Sequence, residues 1–219
     1  TGQLMRPMGE LLYDKAIEYF SVQARALAEG GADGIHIETM SDLLEVKAAI
    51  VGAKQSTNLP VTATMSFDMH GRTMMGVQPE KAVKEISELD IDAIGVNCGR
   101  TLDENLTSIT AMRTAAPTAT LIAKPNAGLP KMDGNVEAVY DVTPEIMADY
   151  ALKFAKQHVK MLGACCGSTP VHITAVKEAL ANYEQPPLDV VLAENEAALA
   201  VAGGEGGQKE RRRGNRRRR

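Results

Sequence analysis

Two adjacent cysteines stand at the centre of the stretch GACCGSTP, residues 163–170. A short apolar run, VKML at 159–162, leads into it, and a helical pattern at 171–182 follows it. Successive side chains of a strand point to opposite faces, so adjacent cysteines reach one object only where the backbone turns out of the strand. Gly163 and Gly167 flank the pair and permit that turn. We therefore predict a strand that ends in a turn carrying both thiols.

The remaining cysteine, Cys98, has a similar setting. It lies in GVNCG at 95–99, where another apolar strand pattern ends at a glycine. Three cysteines are too few, and odd in number, for a disulfide framework, which favours a reducing compartment and thiols that bind metal or react. We therefore expect a cytoplasmic protein whose three thiols share one site.

Strand and helix patterns alternate along the chain. Strands are predicted at 33–38, 61–67, 93–98, 120–124 and 159–162. Helices are predicted at 10–29, 41–54, from Pro79 onward, and at 102–115, 143–157 and 171–182, and a loop at 129–142. Strands that alternate with helices at a spacing of about 30 residues are typical of βαβ units. The sequence therefore predicts an α/β fold with a parallel sheet of five strands.

Unusual polar residues fall where the predicted strands end. In parallel α/β folds these carboxyl ends meet on one face, where the chemistry gathers. The residues in question are Glu38, Thr39, Ser66, Asn97, Cys98, Asn126, Cys165 and Cys166. We expect this face to bring Cys98 close to the later pair. No dinucleotide or Walker-type phosphate loop is present, which counts against a nucleotide enzyme.

Three thiolates around Zn²⁺ leave a fourth position open, as in a catalytic zinc site. A substrate thiol bound there loses its proton at neutral pH and becomes a nucleophile for an activated methyl or alkyl group. Simpler interpretations also exist. Any one cysteine can be core packing, and the pair at 165–166 fits a redox or arsenic-reactive dithiol. Glu38 could cap a helix or pair with a lysine, although its strand-end position favours a pocket.

Composition bounds the class of protein. The 219 residues suffice for one α/β domain with a sizeable core. No stretch approaches the roughly 20 apolar residues of a membrane span, so we expect no membrane partner. The net charge of −4 combines +7 on residues 209–219 with −11 on residues 1–208. We expect an acidic globular body with a basic tail.

The domain boundary is predicted after Pro186-Pro187. Residues 1–187 form the predicted α/β domain, and residues 188–219 a low-complexity, Arg-rich, disordered tail in which a short helix from Leu188 is compatible with the sequence. The basic tail could contact nucleic acid or an anionic surface without specificity.

Four motifs together resemble the homocysteine S-methyltransferase family. They are GADGIHIETM at 31–40, GVNCG at 95–99, KPNAG at 124–128 and CCGSTP at 165–170. The resemblance runs from Thr1 to about Tyr183, and the combination of three cysteines is specific. The similarity is greatest to the homocysteine-binding module of cobalamin-dependent methionine synthase.

The resemblance implies a (β/α) TIM-type barrel of eight strands. Residues 1–4 correspond to the segment just after the family's third strand, so we expect a barrel truncated to about five βα units. A missing N-terminal segment or a partner would then supply the rest. A sheet that does not close leaves parallel edges unpaired, which is an aggregation liability.

The resemblance also implies roles for the site residues. Cys98, Cys165 and Cys166 would be the zinc ligands. Glu38 would be the catalytic residue, receiving the amino group of homocysteine. Further residues would line the substrate site, and an Asn126 oxygen could hold the open zinc position before substrate binds. This set comprises Thr39, Ser66, Asn97 and Asn126.

The implied reaction is zinc-dependent methyl transfer to homocysteine, giving methionine, through a zinc-bound thiolate. The family's methyl donors are methylcobalamin, S-methylmethionine and betaine, and methylcobalamin would require a corrinoid domain or subunit outside this chain. One alternative is a fragment that binds zinc or thiols without turnover. Others are an interaction protein whose basic tail contacts nucleic acid, and an enzyme that methylates another small thiol or selenol.

Overall fold

A computed structural model describes residues 1–132 and 138–198. The helices are α1 (Tyr13–Glu29), α2 (Leu43–Ser56), α3 (Pro79–Ser87), α4 (Leu102–Ala115), α5 (Pro144–Lys156), α6 (Pro170–Leu180) and α7 (188–198). The strands are β1 (Ile35–Met40), β2 (Val61–Met65), β3 (Ala93–Cys98), β4 (Leu121–Pro125), β5 (Lys131–Met132), β6 (Ala138–Val139) and β7 (Val159–Leu162).

Five of the strands form one parallel sheet in the order β1-β2-β3-β4-β7. Each strand pairs with the next strand of this sheet along the chain, and a helix follows every strand before the chain returns. The register places Asn97 beside Lys124 and Cys98 beside Pro125. Because all five strands run the same way, their carboxyl ends share one edge of the sheet. The predicted α/β fold with a parallel sheet is confirmed.

One face of the sheet packs against the helices. Ile37, Ile94 and Leu121 on this face are buried in a single core with the apolar sides of α2, α3, α4 and α5. Side chains alternate along a strand, so the intervening residues lie on the opposite face. That face carries more polar side chains, among them His36 and Lys124. The sheet thus buries one apolar face against the helices and carries polar side chains on the other.

The helices begin at capping residues. Asp42 accepts hydrogen bonds from the backbone N–H groups of Leu44 and Glu45, and Thr101 accepts one from Glu104. These bonds satisfy amide groups that have no partner within the helix. A proline opens each of α3, α5 and α6, where its fixed φ suits the first turn. The observed bounds of α2 and α4 agree with the predicted bounds within about two residues.

A buried arginine joins the elements at the amino ends of the strands. The guanidinium of Arg113, on α4, donates to the carbonyl groups of Pro117, Ala119, Gln157 and His158 at distances of 2.7 to 3.1 Å. Burial lowers the pKa of Arg113. The four carbonyl groups compensate for lost hydration, so this cation ties α4 to the starts of β4 and β7.

Two segments differ from the sequence-based expectation. The predicted loop at 129–142 contains a two-stranded antiparallel ladder of β5 and β6. The predicted disordered tail begins with a folded helix, α7, because Val191 is fully buried and the side-chain amides of Asn195 and Gln157 bond to each other at 2.9 and 3.1 Å. Residues 199–219, the rest of the predicted tail, lie outside the described residues. Within the described ranges, no helix combines the length and apolarity that a membrane crossing requires.

Candidate metal centre

The three cysteines meet at the carboxyl edge of the sheet. The Sγ atom of Cys98 lies 3.2 Å from that of Cys165 and 3.8 Å from that of Cys166, and the latter two are 3.9 Å apart. All three are free thiols. The sequence-based expectation that Cys98 joins the later pair is therefore met by the geometry of the chain.

A left-handed turn presents the first thiol. Cys98 ends β3 with a φ of 56°, and Gly99 follows with a φ of 78°. The left-handed region is costly for a residue with a side chain, so the turn needs support from its surroundings. The buried side chain of Asn105, on α4, supplies it by donating to the carbonyl of Cys98 at 2.7 Å. A side chain at position 99 would collide with this amide, 2.8 Å away.

The loop of Cys165 and Cys166 is bound to the end of β4. The N–H of Cys165 donates to the carbonyl of Pro125 at 2.8 Å, and the carbonyl of Cys166 accepts from Ala127 at 2.9 Å. Gly167 then has a φ of 77° beneath the ring of Tyr140, where a Cβ would lie 2.2 Å from the ring. Only glycine fits at this position. The turn predicted from the flanking glycines exists, and its left-handed residue is the second glycine.

Asn97 connects the end of β1 to the thiols. Its Oδ1 accepts the N–H of Thr39 at 3.0 Å, and its Nδ2 donates to the Thr39 hydroxyl at 2.6 Å. The same Nδ2 lies 3.8 Å from the Cys165 Sγ. Thr39 is itself left-handed, with a φ of 60°, which is rare for a β-branched residue. The paired bonds with Asn97 hold this strained residue next to Glu38.

Asn126 connects the two cysteine loops. Its Oδ1 accepts the N–H of Cys166 at 3.1 Å, and its Nδ2 donates to the carbonyl of Gly99 at 3.0 Å. The resemblance suggests an Asn126 oxygen as an occupant of the open zinc position. In this structure that oxygen, Oδ1, is hydrogen-bonded to the backbone. In this arrangement Asn126 fixes the distance between Cys98 and Cys166.

The thiols affect one another's ionisation. Burial, together with the contacts from Cys165 and Cys166, raises the pKa of the Cys98 thiol. The pKa of Cys165 is lowered: burial opposes its ionisation, but hydrogen bonds from Cys98, the backbone of Cys166 and Asn97 outweigh burial. Three thiolates this close repel one another, so all three can be ionised together only around a cation.

The donor set fits Zn²⁺. Tetrahedral coordination with Zn–S bonds of about 2.3 Å requires sulfurs about 3.8 Å apart. Two of the three observed separations, 3.8 and 3.9 Å, match this value, and the third, 3.2 Å, needs only a small rotation of a side chain. All ligand atoms lie within 4.8 Å of one another. Three soft sulfur donors on two hydrogen-bonded loops leave a fourth tetrahedral position open.

The remaining predicted site residues differ in their placement. Glu38 lies on β1, where its carboxylate bonds to the ammonium of Lys124 and lies 3.6 Å from the ring of His36. Ser66 follows β2, and its N–H donates to the carbonyl of Met40 at 3.0 Å. No hydrogen bond among the described residues connects the Ser66 side chain to the thiols. Its role in substrate binding stays a prediction.

Sequence reasoning missed two residues of this site. Asn105 interrupts an apolar stripe of α4 formed by Leu102, Ile109 and Met112, and a buried amide in such a stripe is a detectable signal of a specific partner. Lys124 is the residue before the last in β4 and the one charged residue of that strand. A lysine at the carboxyl end of a barrel-type strand could have been counted with the polar residues of that face.

Comparison with known proteins decides the family. The sequence model of the family described as homocysteine S-methyltransferase matches residues 1–180. The chain belongs to the homocysteine S-methyltransferase family. A methionine synthase of Mycobacterium tuberculosis is 30% identical over 210 residues, and that of Mycobacterium leprae is 29% identical over 189 residues. The matches cover 92% and 82% of this chain but only 17% and 15% of those proteins.

Solved structures of the homocysteine methyltransferase MmuM from Escherichia coli share the fold. The apo form superimposes with a TM-score of 0.58 at 20% identity, over 74% of this chain and 57% of that one. A metallated form gives the same TM-score and identity over 51% of its own chain. The family predicted from the four motifs is confirmed, and the chain spans little more than half of the MmuM chain.

Proposed function

We propose that this chain acts as a zinc-dependent S-methyltransferase, in which homocysteine is activated as a zinc-bound thiolate and methylated to methionine. The observation that carries this proposal is the convergence of three free thiols from two loops, with S···S distances of 3.2 to 3.9 Å. Membership of the homocysteine S-methyltransferase family supports the same chemistry. Cys98, Cys165 and Cys166 would hold the Zn²⁺ ion, which would lower the pKa of an incoming thiol.

The protein groups around the thiols would position the substrate. Asn97 and Asn126 hold the two cysteine loops in place, and the backbone bonds at Cys165 and Cys166 limit their motion. Glu38 presents a carboxylate to the ammonium of an amino-acid thiol, a charge-assisted contact. Thr39, bonded to Asn97, fixes the position of Glu38 relative to the sulfurs. A thiolate held in this way has a defined direction of attack on the methyl donor.

We also propose that the sheet is an arc of a (β/α) TIM-type barrel that lacks the family's first three strands. Glu38 on β1 contacts Lys124 on β4, although two strands lie between them. In a flat sheet three strand spacings amount to about 14 Å, and the two side chains would stand parallel to each other. Contact across that distance requires a curved sheet, as in a barrel.

The methyl donor belongs to the same proposal. We expect methylcobalamin on a separate corrinoid domain or subunit, with S-methylmethionine and betaine as the other donors, because this chain is similar to two methionine synthases and matches less than a fifth of each. The three free cysteines support the predicted cytoplasmic location, where thiols stay reduced.

Thiol binding to the metal tests the proposal. The full chain is loaded with Co²⁺, which reports thiolate coordination by its visible spectrum, and is titrated with homocysteine and with homoserine as the control lacking sulfur. Homocysteine should change the sulfur-to-cobalt absorption and homoserine should not. Absence of any change with homocysteine would exclude the proposed activation. Methionine formation with each donor then separates an enzyme from a fragment that binds zinc or thiols without turnover.

A further inference from the structure

An ion pair lies on the polar face of the sheet beside the metal centre. The ammonium of Lys124 contacts Oε1 of Glu38, and the side chains keep 27% and 38% of their surface exposed. His36 also approaches Oε1, at 3.6 Å. Among the described residues, both contacts of this carboxylate use the same oxygen, so Oε2 is open to a ligand.

Two cavities flank the ion pair, and His36 lines both of them. A cavity of about 330 Å³ is lined by Lys124, His36 and Gly163, and another of about 270 Å³ by Glu38 and His36. A Cβ on Gly163 would lie 3.1 Å from Cγ of Lys124, so glycine at this position leaves room for the lysine stem. Gly163 precedes Cys165 by two residues. The lysine therefore enters the polar face next to the thiol loop.

Stability does not account for this pair. Ion pairs with this degree of exposure contribute about 0 to 1 kcal/mol, because water solvates the separated charges nearly as well. A lysine that extends across the polar face towards a carboxylate near a metal centre has a stronger rationale in binding. The pair presents one positive and one negative group, and the α-carbon of an amino acid carries the complementary pair.

We infer that Lys124 determines substrate specificity by binding the α-carboxylate of the amino-acid thiol, while Glu38 binds its α-ammonium. The inference rests on the proposed function, which supplies the thiol end of the substrate. Binding would exchange one internal ion pair for two pairs with the ligand, so no charge is left without a partner. A thiol that carries only the ammonium or only the carboxylate would form only one of these two ion pairs.

The structure connects this pair to the thiols through short contacts. Glu38 precedes Thr39, whose N–H donates to Asn97, and the amide of Asn97 lies 3.8 Å from the sulfur of Cys165. On the other side, Lys124 is the register neighbour of Asn97. Glu38 is thus adjacent to a partner of Asn97, and Lys124 is beside Asn97 in the sheet, so both charged residues lie close to the residue that contacts the sulfur of Cys165.

The test compares three thiols that differ only at the α-carbon. They are L-homocysteine, 4-mercaptobutanoate, which lacks the ammonium, and 3-aminopropane-1-thiol, which lacks the carboxylate. Their dissociation constants are measured on the Co²⁺-loaded full chain by absorption, for wild type, Lys124→Met, Lys124→Arg and Lys160→Met. Lys160 is an exposed lysine on β7 and serves as the matched control.

Lys124→Met should weaken binding of homocysteine and 4-mercaptobutanoate by about tenfold, the usual effect of one charge-assisted contact in a partly exposed site. Binding of 3-aminopropane-1-thiol should stay the same or improve, because the lysine no longer competes for Glu38. Lys124→Arg should restore most of the affinity, since guanidinium also pairs with carboxylates. Lys160→Met should behave as wild type.

Two results would overturn the inference while the proposed function stands. One is homocysteine binding within twofold of wild type in Lys124→Met. The other is an equal loss for all three thiols in that variant, which would mean that the lysine only maintains the site. Failure of wild-type protein to bind any of the thiols through sulfur would instead overturn the proposed function, and this inference with it.

Discussion

The two ends of the parallel sheet hold polar clusters of opposite character. At the amino ends, the buried guanidinium of Arg113 donates hydrogen bonds to four carbonyl oxygens of the chain, which use four of its five N–H groups. At the carboxyl ends, the hydrogen bonds of three partly exposed thiols run, within the described residues, to one another and to the amide of Asn97. One cluster is satisfied internally, and the other has donor capacity left for a ligand.

This difference teaches how to distinguish a structural cluster from a functional one. Both clusters lie at the ends of the parallel strands, and both join residues distant in sequence. The Arg113 cluster contains both a cation and the carbonyl oxygens that accept its hydrogen bonds, so it has its partners within the chain. The cysteine cluster contains three donors of the same kind, which can be ionised together only around a cation.

The largest effect is expected at the amino ends of the strands, where Arg113 is changed. Arg113→Met should lower the free energy of unfolding by about 3 kcal/mol, because buried carbonyl groups lose their donor. Chemical denaturation measures this loss, and Arg25→Met, an exposed change on α1, is the control. Metal content per folded chain should not change. A loss of stability below about 1 kcal/mol would contradict the structural role of this cluster.

The next largest effect is expected at the carboxyl ends of the strands, where Cys98 is changed. Cys98→Ala should lower zinc affinity roughly 100-fold, since it removes a ligand, and outer partners alone contribute 10- to 100-fold. Competition with a chelator of known affinity measures the change, alongside zinc per chain after dialysis. Stability of the zinc-free variant should stay close to that of the zinc-free wild type. A mutant that retains a full equivalent would remove Cys98 from the ligand set.

A smaller effect is expected from the residue that supports the thiols. Asn97→Ala should lower zinc affinity about tenfold, because the amide that orients Cys165 and holds Thr39 is lost. Asn58→Ala, an exposed change before β2, should have no effect on zinc affinity. Equal affinity in Asn97→Ala and wild type would show that the cysteine loops need no support from β1.

The smallest effect concerns the exposed ion pair and has a defined pH dependence. The hydrogen bond from Lys124 holds the pKa of Glu38 below its ordinary value of 4.5, although burial opposes the shift. The stabilisation is therefore complete above pH 4.5 and is lost as the pH falls through the lower folded-state pKa. Glu38→Gln should change the unfolding free energy by less than about 1 kcal/mol at neutral pH. Chemical denaturation of wild type and Glu38→Gln at pH 3 and at pH 7 measures this change in unfolding free energy. A loss above about 1 kcal/mol at pH 7 would show that the ion pair stabilises the fold.

The fold was predictable because its periodicity is local. The bounds of β3, α4 and β7 agree with the predicted ranges to the residue, since apolar strands and capped helices carry their signals within the segment itself. The ladder of β5 and β6 was missed because two-residue strands have no periodicity. The helix α7 was placed in the tail because its packing depends on Asn195 meeting Gln157, 38 residues earlier.

The sequence predicted the candidate metal ligands of the site, but it predicted fewer of the contacts that hold these ligands in place. The cysteines were found because parallel strands bring their carboxyl ends together whatever lies between them. The pairing of Glu38 with Lys124 was open as one alternative, but its partner was not identified, because that contact depends on the curvature of the sheet. Asn126 was predicted as a site residue, but its contacts with the backbone of Cys166 and Gly99 were not, because a backbone contact leaves no pattern in residue types.

The three thiols come from only two loops, and 67 residues separate Cys98 from Cys165. An ion shared between these loops would act on the unfolded chain as a cross-link does, and a covalent link of that span stabilises by roughly 4 kcal/mol. Zinc supply in the cell would then govern the lifetime of the protein as well as its activity. A shortage of the metal would shift newly made chains towards degradation before any substrate is encountered.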